Sequence, residues 1–252
     1  MDSYDRREFL SLSLPGFLGV LTALPALCAM ASRANACDGR LAAGGKINWE
    51  AFLDAVAKEA AKQHLDQWNQ DQYVASIAKL AGQLHLEDPV LRQGMEQLGK
   101  RLKNERVDFG DLENRVDFSI CLVQFDVGEF IPAHDHPGMT GMILCASGEI
   151  QTANYDELID PPVAPAAEAV APVANHTVLR RVGQSVLRPN DISTLTAKER
   201  NIHTLKALKV TQLVDIFTPP YDHDRSERSR WFELDAEPRP NYPDLFQARV
   251  VK

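Results

Sequence analysis

His134 and His136 are separated by a single residue in the stretch Ile131-Pro132-Ala133-His134-Asp135-His136-Pro137-Gly138-Met139. On a β-strand, residues two apart share a face. Both imidazoles can therefore reach one metal ion, while Asp135 points the other way. Neutral imidazole is the commonest metal ligand on a protein, and Pro137-Gly138 turns the chain directly after the pair. The alternative reading of these two residues alone is a half-exposed pair at a strand end.

Such a pair needs a frame to hold it. From Ile47 to Leu102 the pattern is helical, with Ala51, Phe52, Ala55, Val56 and Ala60 at three- and four-residue spacing. Val74, Ile77, Ala78, Leu80, Ala81 and Leu84 mark a second amphipathic run. Asp88-Pro89 reads as an N-cap with proline at the first helical position, opening a third helix through Leu91, Met95 and Leu98. Lys100, Arg101 and Lys103 suit its C-terminal end. After Val107 the period shortens. Strands are predicted at Phe118–Phe125, Gly128–Ala133, Gly141–Cys145, Gly148–Tyr155, Val178–Val182, Val186–Leu187, Ile192–Leu195, His203–Ala207 and Gln212–Phe217. Many short strands with regular turns imply a sandwich or barrel. Asp160–Asn175, rich in Pro, Ala and Val, reads as a surface insertion, and His176 as a loop residue.

The chain has 252 residues, 44% apolar and 25% charged, with net charge −8. That is enough for one sizeable core and an accessory segment. The basic residues do not cluster, which speaks against a nucleic-acid surface or a polybasic membrane patch. Residues 1–36 read as a leader: Arg6-Arg7-Glu8-Phe9-Leu10, an apolar run from Leu14 to Met30, and a small-x-small site at Ala34-Asn35-Ala36. The layout is that of a twin-arginine signal peptide, which predicts export to the periplasm. Pro15, Gly16, Gly19 and Pro25 make the run a poor permanent span, so no stable membrane span is expected after cleavage. An uncleaved anchor, or lipid anchoring at Cys37, is the alternative. Cys37, Cys121 and Cys145 would remain, an odd and scattered set that implies no disulfide framework.

Gly128 precedes His134 with five residues between them, and Gly148 lies twelve after His136. This resembles the first cupin motif: Gly, five residues, His-x-His, a glutamate, six residues, Gly. Gly141 stands at the glutamate position, so the usual carboxylate ligand is missing. Asn201-Ile202-His203 and Asp215-Ile216-Phe217-Thr218-Pro219-Pro220-Tyr221 follow. With His134-Asp135-His136-Pro137-Gly138-Met139 they resemble, in order, the motifs of the thiol dioxygenase family that includes cysteamine dioxygenase and the plant cysteine oxidases. The resemblance covers residues 105–235 and implies a mostly β, cupin-type double-stranded β-helix (a jelly-roll barrel) preceded by an N-terminal helical segment over 37–104, with 236–252 as a C-terminal tail.

By the same resemblance, His134, His136 and His203 would hold Fe(II), Asp215 would orient the third histidine or the substrate, and Tyr221 would stand in the pocket near the thiol. Some family members carry a cysteine that cross-links to a tyrosine. Ser229 stands at that place here, and Trp231-Phe232 replaces two tyrosines, so no thioether cofactor is expected. A facial set of three neutral imidazoles leaves sites open on octahedral iron. A thiol bound there loses its proton, and both atoms of O2 would end on sulfur as a sulfinic acid. The expected partners are a small thiol or an N-terminal cysteine, and O2, with the chain a monomer. The rival readings are another metal-dependent cupin, acting as an isomerase or on a non-thiol substrate, and a non-catalytic periplasmic binding module.

Overall fold

The computed structural model describes residues 46–101, 107–159, 175–221 and 227–252. The expected leader, Cys37 and the insertion up to 174 lie outside the described residues. Among the described residues three α-helices come first: α1 (Trp49–Ala60), α2 (Gln70–Gln83) and α3 (Pro89–Arg101). Eleven strands follow: β1 (Val107–Asn114), β2 (Ser119–Phe125), β3 (Phe130–His134), β4 (Thr140–Ser147), β5 (Ile150–Leu158), β6 (His176–Leu187), β7 (Ile192–Leu195), β8 (Ile202–Ala207), β9 (Thr211–Thr218), β10 (Trp231–Leu234) and β11 (Leu245–Val250).

Local chemistry sets the helix starts. Asn48 and Asn69 each accept a hydrogen bond from a backbone N–H three residues on, at 2.9 Å, satisfying one orphan donor of the first turn. Asp88 does the same for α3 through Val90 N–H, and its other oxygen accepts Trp49 N–H at 2.9 Å. One carboxylate thus joins the starts of two helices. The apolar stripes (Phe52 and Val56, Val74 and Ile77, Leu91 and Leu98) form one core with Ile120 and Leu122 of β2, Met142 and Leu144 of β4, and Val214 and Ile216 of β9. Side chains alternate along a strand, so the helices cover one face of this sheet and leave Cys121, Ile143, Asp215 and Phe217 on the other.

That sheet runs β1-β2-β9-β4-β7, and the remaining strands form a closed ring, β10-β11-β6-β5-β8-β3. All pairings are antiparallel. Every strand of the ring contributes to a second core of Ala133, Ala153, Tyr155, Leu179, Ile202, Phe232, Phe246 and Ala248. The architecture is the mostly β, cupin-type double-stranded β-helix with an N-terminal helical segment. Among the described residues no helix is long and apolar enough to cross a membrane.

Three details differ from the sequence reading. His176 begins β6 rather than sitting in a loop, paired with Arg249. The two short strands expected at Val178–Val182 and Val186–Leu187 are one twelve-residue strand, which follows β5 across a bulge. Residues 236–252 are not a tail: β11 pairs with both β6 and β10 and closes the ring, because Leu245, Phe246 and Ala248 bury apolar surface there.

Candidate metal centre

Four strands align one row of side chains across one end of the barrel. His203 pairs with Asn154 of β5 on one side and with His134 of β3 on the other. His134 in turn pairs with Trp231 of β10. Beyond β3, Pro137-Gly138 reverses the chain, Gly138 adopting φ +71°, a conformation that glycine takes without steric cost. The turn brings His136 back over the row. One ring nitrogen from each of His134, His136 and His203 lies within 4.8 Å of the others, and all three residues are buried.

The donor set fits a metal ion. His134 Nδ1 lies 2.8 Å from the Pro132 carbonyl; donating there leaves Nε2 with its lone pair turned to the cluster. His136 Nε2 and His203 Nε2 are 3.2 Å apart. Those two nitrogens are close enough to be shared by one metal ion. Burial lowers the His134 pKa, against the opposing pull of the Pro132 carbonyl and Asp135. Burial, and then the neighbouring His134, hold His203 well below the ordinary imidazole value. Rings kept neutral are the form that binds metal.

Aromatic side chains fix the rings. Trp231 stacks on His134 with centroids 4.9 Å apart, and Phe217 stacks on His136 at 4.5 Å. Tyr221 meets His136 edge-on at 5.8 Å. Met139, Leu195 and Phe217, with Tyr221 beside them, form an apolar wall. Gly141 explains the missing carboxylate. A Cβ there would lie 2.4 Å from the Ile216 carbonyl oxygen and 2.6 Å from the Phe217 ring. The backbone oxygen and the ring together leave no room for a side chain, and among the described residues the cluster contains no carboxylate.

Asp215 lies on β9 between Cys121 and Ile143 and lines a recess with His203, Ser193, Thr194, Leu195 and Phe217. The Tyr221 N–H donates to Ser119 Oγ at 2.9 Å, and its hydroxyl lies 3.5 Å from the buried Ser229 Oγ. The position read from sequence as a replaced cysteine is thus the tyrosine's neighbour. Sequence reasoning gave no role to Asn201. Its Oδ1 accepts the His136 N–H at 2.8 Å, while its Nδ2 donates to the carbonyls of His136, Met139 and Thr196. It splices the histidine turn to the segment that delivers His203. Its place two residues before His203 was the available signal.

A family model described as PCO_ADO matches residues 80–246, well over half of the chain. The chain belongs to this thiol dioxygenase family. It is 28% identical to human 2-aminoethanethiol dioxygenase over 136 residues, covering 49% of this chain and 50% of that protein. It is 26% identical to plant cysteine oxidase 1 of Arabidopsis thaliana over 117 residues, covering 43% and 38%. The chain thus spans about half the length, or less, of these curated relatives. Among solved structures it is similar to KdgF from a Halomonas species (15% identity, 48% of this chain, 86% of that one, TM-score 0.34). An RmlC-like cupin from Desulfovibrio desulfuricans also matches (13%, 48%, 90%, TM-score 0.34).

Proposed function

We propose that this chain is a non-haem iron(II) thiol dioxygenase. It converts R–SH and O2 into the sulfinic acid R–SO2H, both oxygen atoms ending on sulfur and all the electrons coming from sulfur. The substrate is a small thiol or an N-terminal cysteine. The observation that carries this reading is a cluster of three buried imidazoles with no carboxylate among them, Gly141 standing where the backbone and Phe217 leave no room for a side chain.

His134, His136 and His203 would hold the iron. Iron bound by neutral nitrogen alone keeps its full double charge, which favours a thiolate beside it and open positions for O2. The other residues position and exclude. Met139, Leu195 and Phe217 keep water from the site, which strengthens every charge interaction inside it. Pro132 accepts the Nδ1 proton of His134 and holds that tautomer. Asp215, in the same recess as His203, orients that histidine or the substrate. Tyr221, edge-on to His136, stands where its hydroxyl meets the thiol end of the substrate. The twin-arginine-like leader supports export to the periplasm, with the domain acting as a monomer.

The test is oxygen uptake by iron-loaded protein against a panel of thiols under 18O2. The expected result is a product heavier by two labelled oxygens, with uptake and iron content lost together in His203→Ala. Iron-loaded protein that consumes no oxygen with any thiol, or a His203→Ala variant that keeps both properties, overturns the reading.

A further inference from the structure

The residue between the two histidines has a partner far along the chain. Asp135 is buried at 5% exposure. Its Oδ1 accepts the backbone N–H of Arg230 at 2.6 Å, and its Oδ2 accepts Arg230 Nε–H at 2.8 Å. Its own N–H donates to the Arg230 carbonyl at 3.0 Å. The guanidinium also donates to Glu157 at 2.8 Å and lies 5.1 Å from the Phe232 ring centroid. Strand pairing between Trp231 and His134 therefore continues one residue further. Ser229-Arg230-Trp231 runs antiparallel to His134-Asp135-His136. Toward the cluster lie His134 stacked on Trp231, and Ser229 beside the tyrosine that abuts His136. The middle residues form an ion pair on the opposite side.

We propose that Arg230 is a positioning residue of the metal centre, acting through Asp135 to fix the register in which both histidines face the cluster. A one-residue slip of a strand turns every side chain to the other face. Here it would bury Asp135 in the cluster and turn the imidazoles out. A two-pronged, charge-assisted contact is the strong kind; here its carboxylate is buried while the guanidinium stays half-exposed, and fixing register is the best-attested role of such a polar contact in a packed interior. Phe232 and Glu157 hold the guanidinium on the side away from the histidines. Trp231, its immediate neighbour, is carried by the same strand onto the His134 face. This assignment rests on the reading of the three histidines as metal ligands.

The experiment is Co(II) binding to metal-free protein by chelator competition, with the d–d absorption envelope as a second readout and thermal unfolding of the metal-free form as a third. It compares wild type, Arg230→Met, Asp135→Asn, the double variant and His203→Ala. Each clasp variant is expected to weaken Co(II) binding about tenfold or more and to alter the d–d envelope. The double variant should bind no worse than the weaker single one, since the pair acts as a unit. Should Arg230→Met fail to fold, Arg230→Lys, which keeps the charge but loses the fork, carries the same comparison. Wild-type affinity and spectrum in the folded variants, with only the melting point lowered, overturn the proposal, as do losses that multiply in the double variant. If His203→Ala binds Co(II) as wild type does, the histidine cluster itself fails and takes the clasp with it. If His203→Ala loses Co(II) while the clasp variants do not, the clasp alone fails.

Discussion

At the scale of single residues, two side chains outside the histidine set decide what the cluster can become. Asn201 satisfies one N–H and reaches three carbonyls around the histidine turn. Asn201→Ala leaves those groups short of a partner, and Asn201→Asp sets a carboxylate against three carbonyl oxygens. Both variants are expected to bind Co(II) at least about tenfold more weakly than wild type, read by chelator competition, with Asn201→Asp the worse. Gly141 is decisive in the other direction. Gly141→Glu is expected to lower stability by about 1–3 kcal/mol through overpacking against the Ile216 carbonyl and the Phe217 ring, read as a lower denaturant midpoint. It should not yield a four-ligand site even beside Phe217→Ala, because the Ile216 carbonyl oxygen still occupies the space. His134 and His136 were legible as a candidate pair because imidazoles two apart on a strand share a face, whereas His203 joined them through the resemblance of Asn201-Ile202-His203 to a family motif. The Arg230 partner of Asp135 was not legible, because 95 residues separate them and no local pattern links an arginine to one aspartate among many.

Among the elements, the helices were legible from their caps and three-to-four spacing, since both signals are local. So were the strands with strong apolar runs, β2, β4 and β9, which are buried on both faces. The ones missed carry weak patterns. β1 (VDFGDLEN) is an edge strand with acidic residues and a glycine, and β10 (WFEL) is only four residues long. β11 alternates, but it follows a proline-rich stretch that reads as tail. The helices cover the sheet face opposite Asp215 and Phe217, so damage there should reach stability before chemistry. Phe52→Ala removes a fully buried ring and is expected to cost about 3–5 kcal/mol. The Co(II) spectrum of the protein that remains folded should be unchanged. A shifted spectrum would mean that the helical layer shapes the site directly. Two contacts offer such a route: Ala197 N–H donates to Gln70 of α2, and the Tyr73 hydroxyl bonds Thr218 at the end of β9.

For the whole molecule, protons and metal compete for the same buried nitrogens. The folded-state pKa values of His134 and His203 lie below the unfolded imidazole value. The folded protein therefore binds fewer protons than the unfolded chain below about pH 6.5. Their contribution to stability is complete above that pH and is lost as pH falls toward the depressed values. Metal-free protein is expected to melt at progressively lower temperature from pH 7 to pH 5, with a shallower slope in His203→Ala; equal slopes would remove His203 as a cause. Burial pushes the Cys145 thiol up to about 12, the opposite sign: its contribution is intact below the unfolded thiol's pKa and fades as pH rises past it. Alkylation of Cys145 at pH 8 should consequently wait on unfolding, which mass mapping of iodoacetamide-treated protein can check. The barrel as a class was legible from the many short strands, whereas ring closure by β10 and β11 depends on pairings that no stretch of sequence states alone.

The clasp also imposes an order of events on synthesis. A ribosome releases the first two imidazoles nearly a hundred residues before Arg230 and Trp231 emerge, so a nascent or truncated chain ending ahead of Ser229 presents the early pair without its lock. Tight capture of the ion would then be a late step of maturation, and chains interrupted there would hold it more weakly.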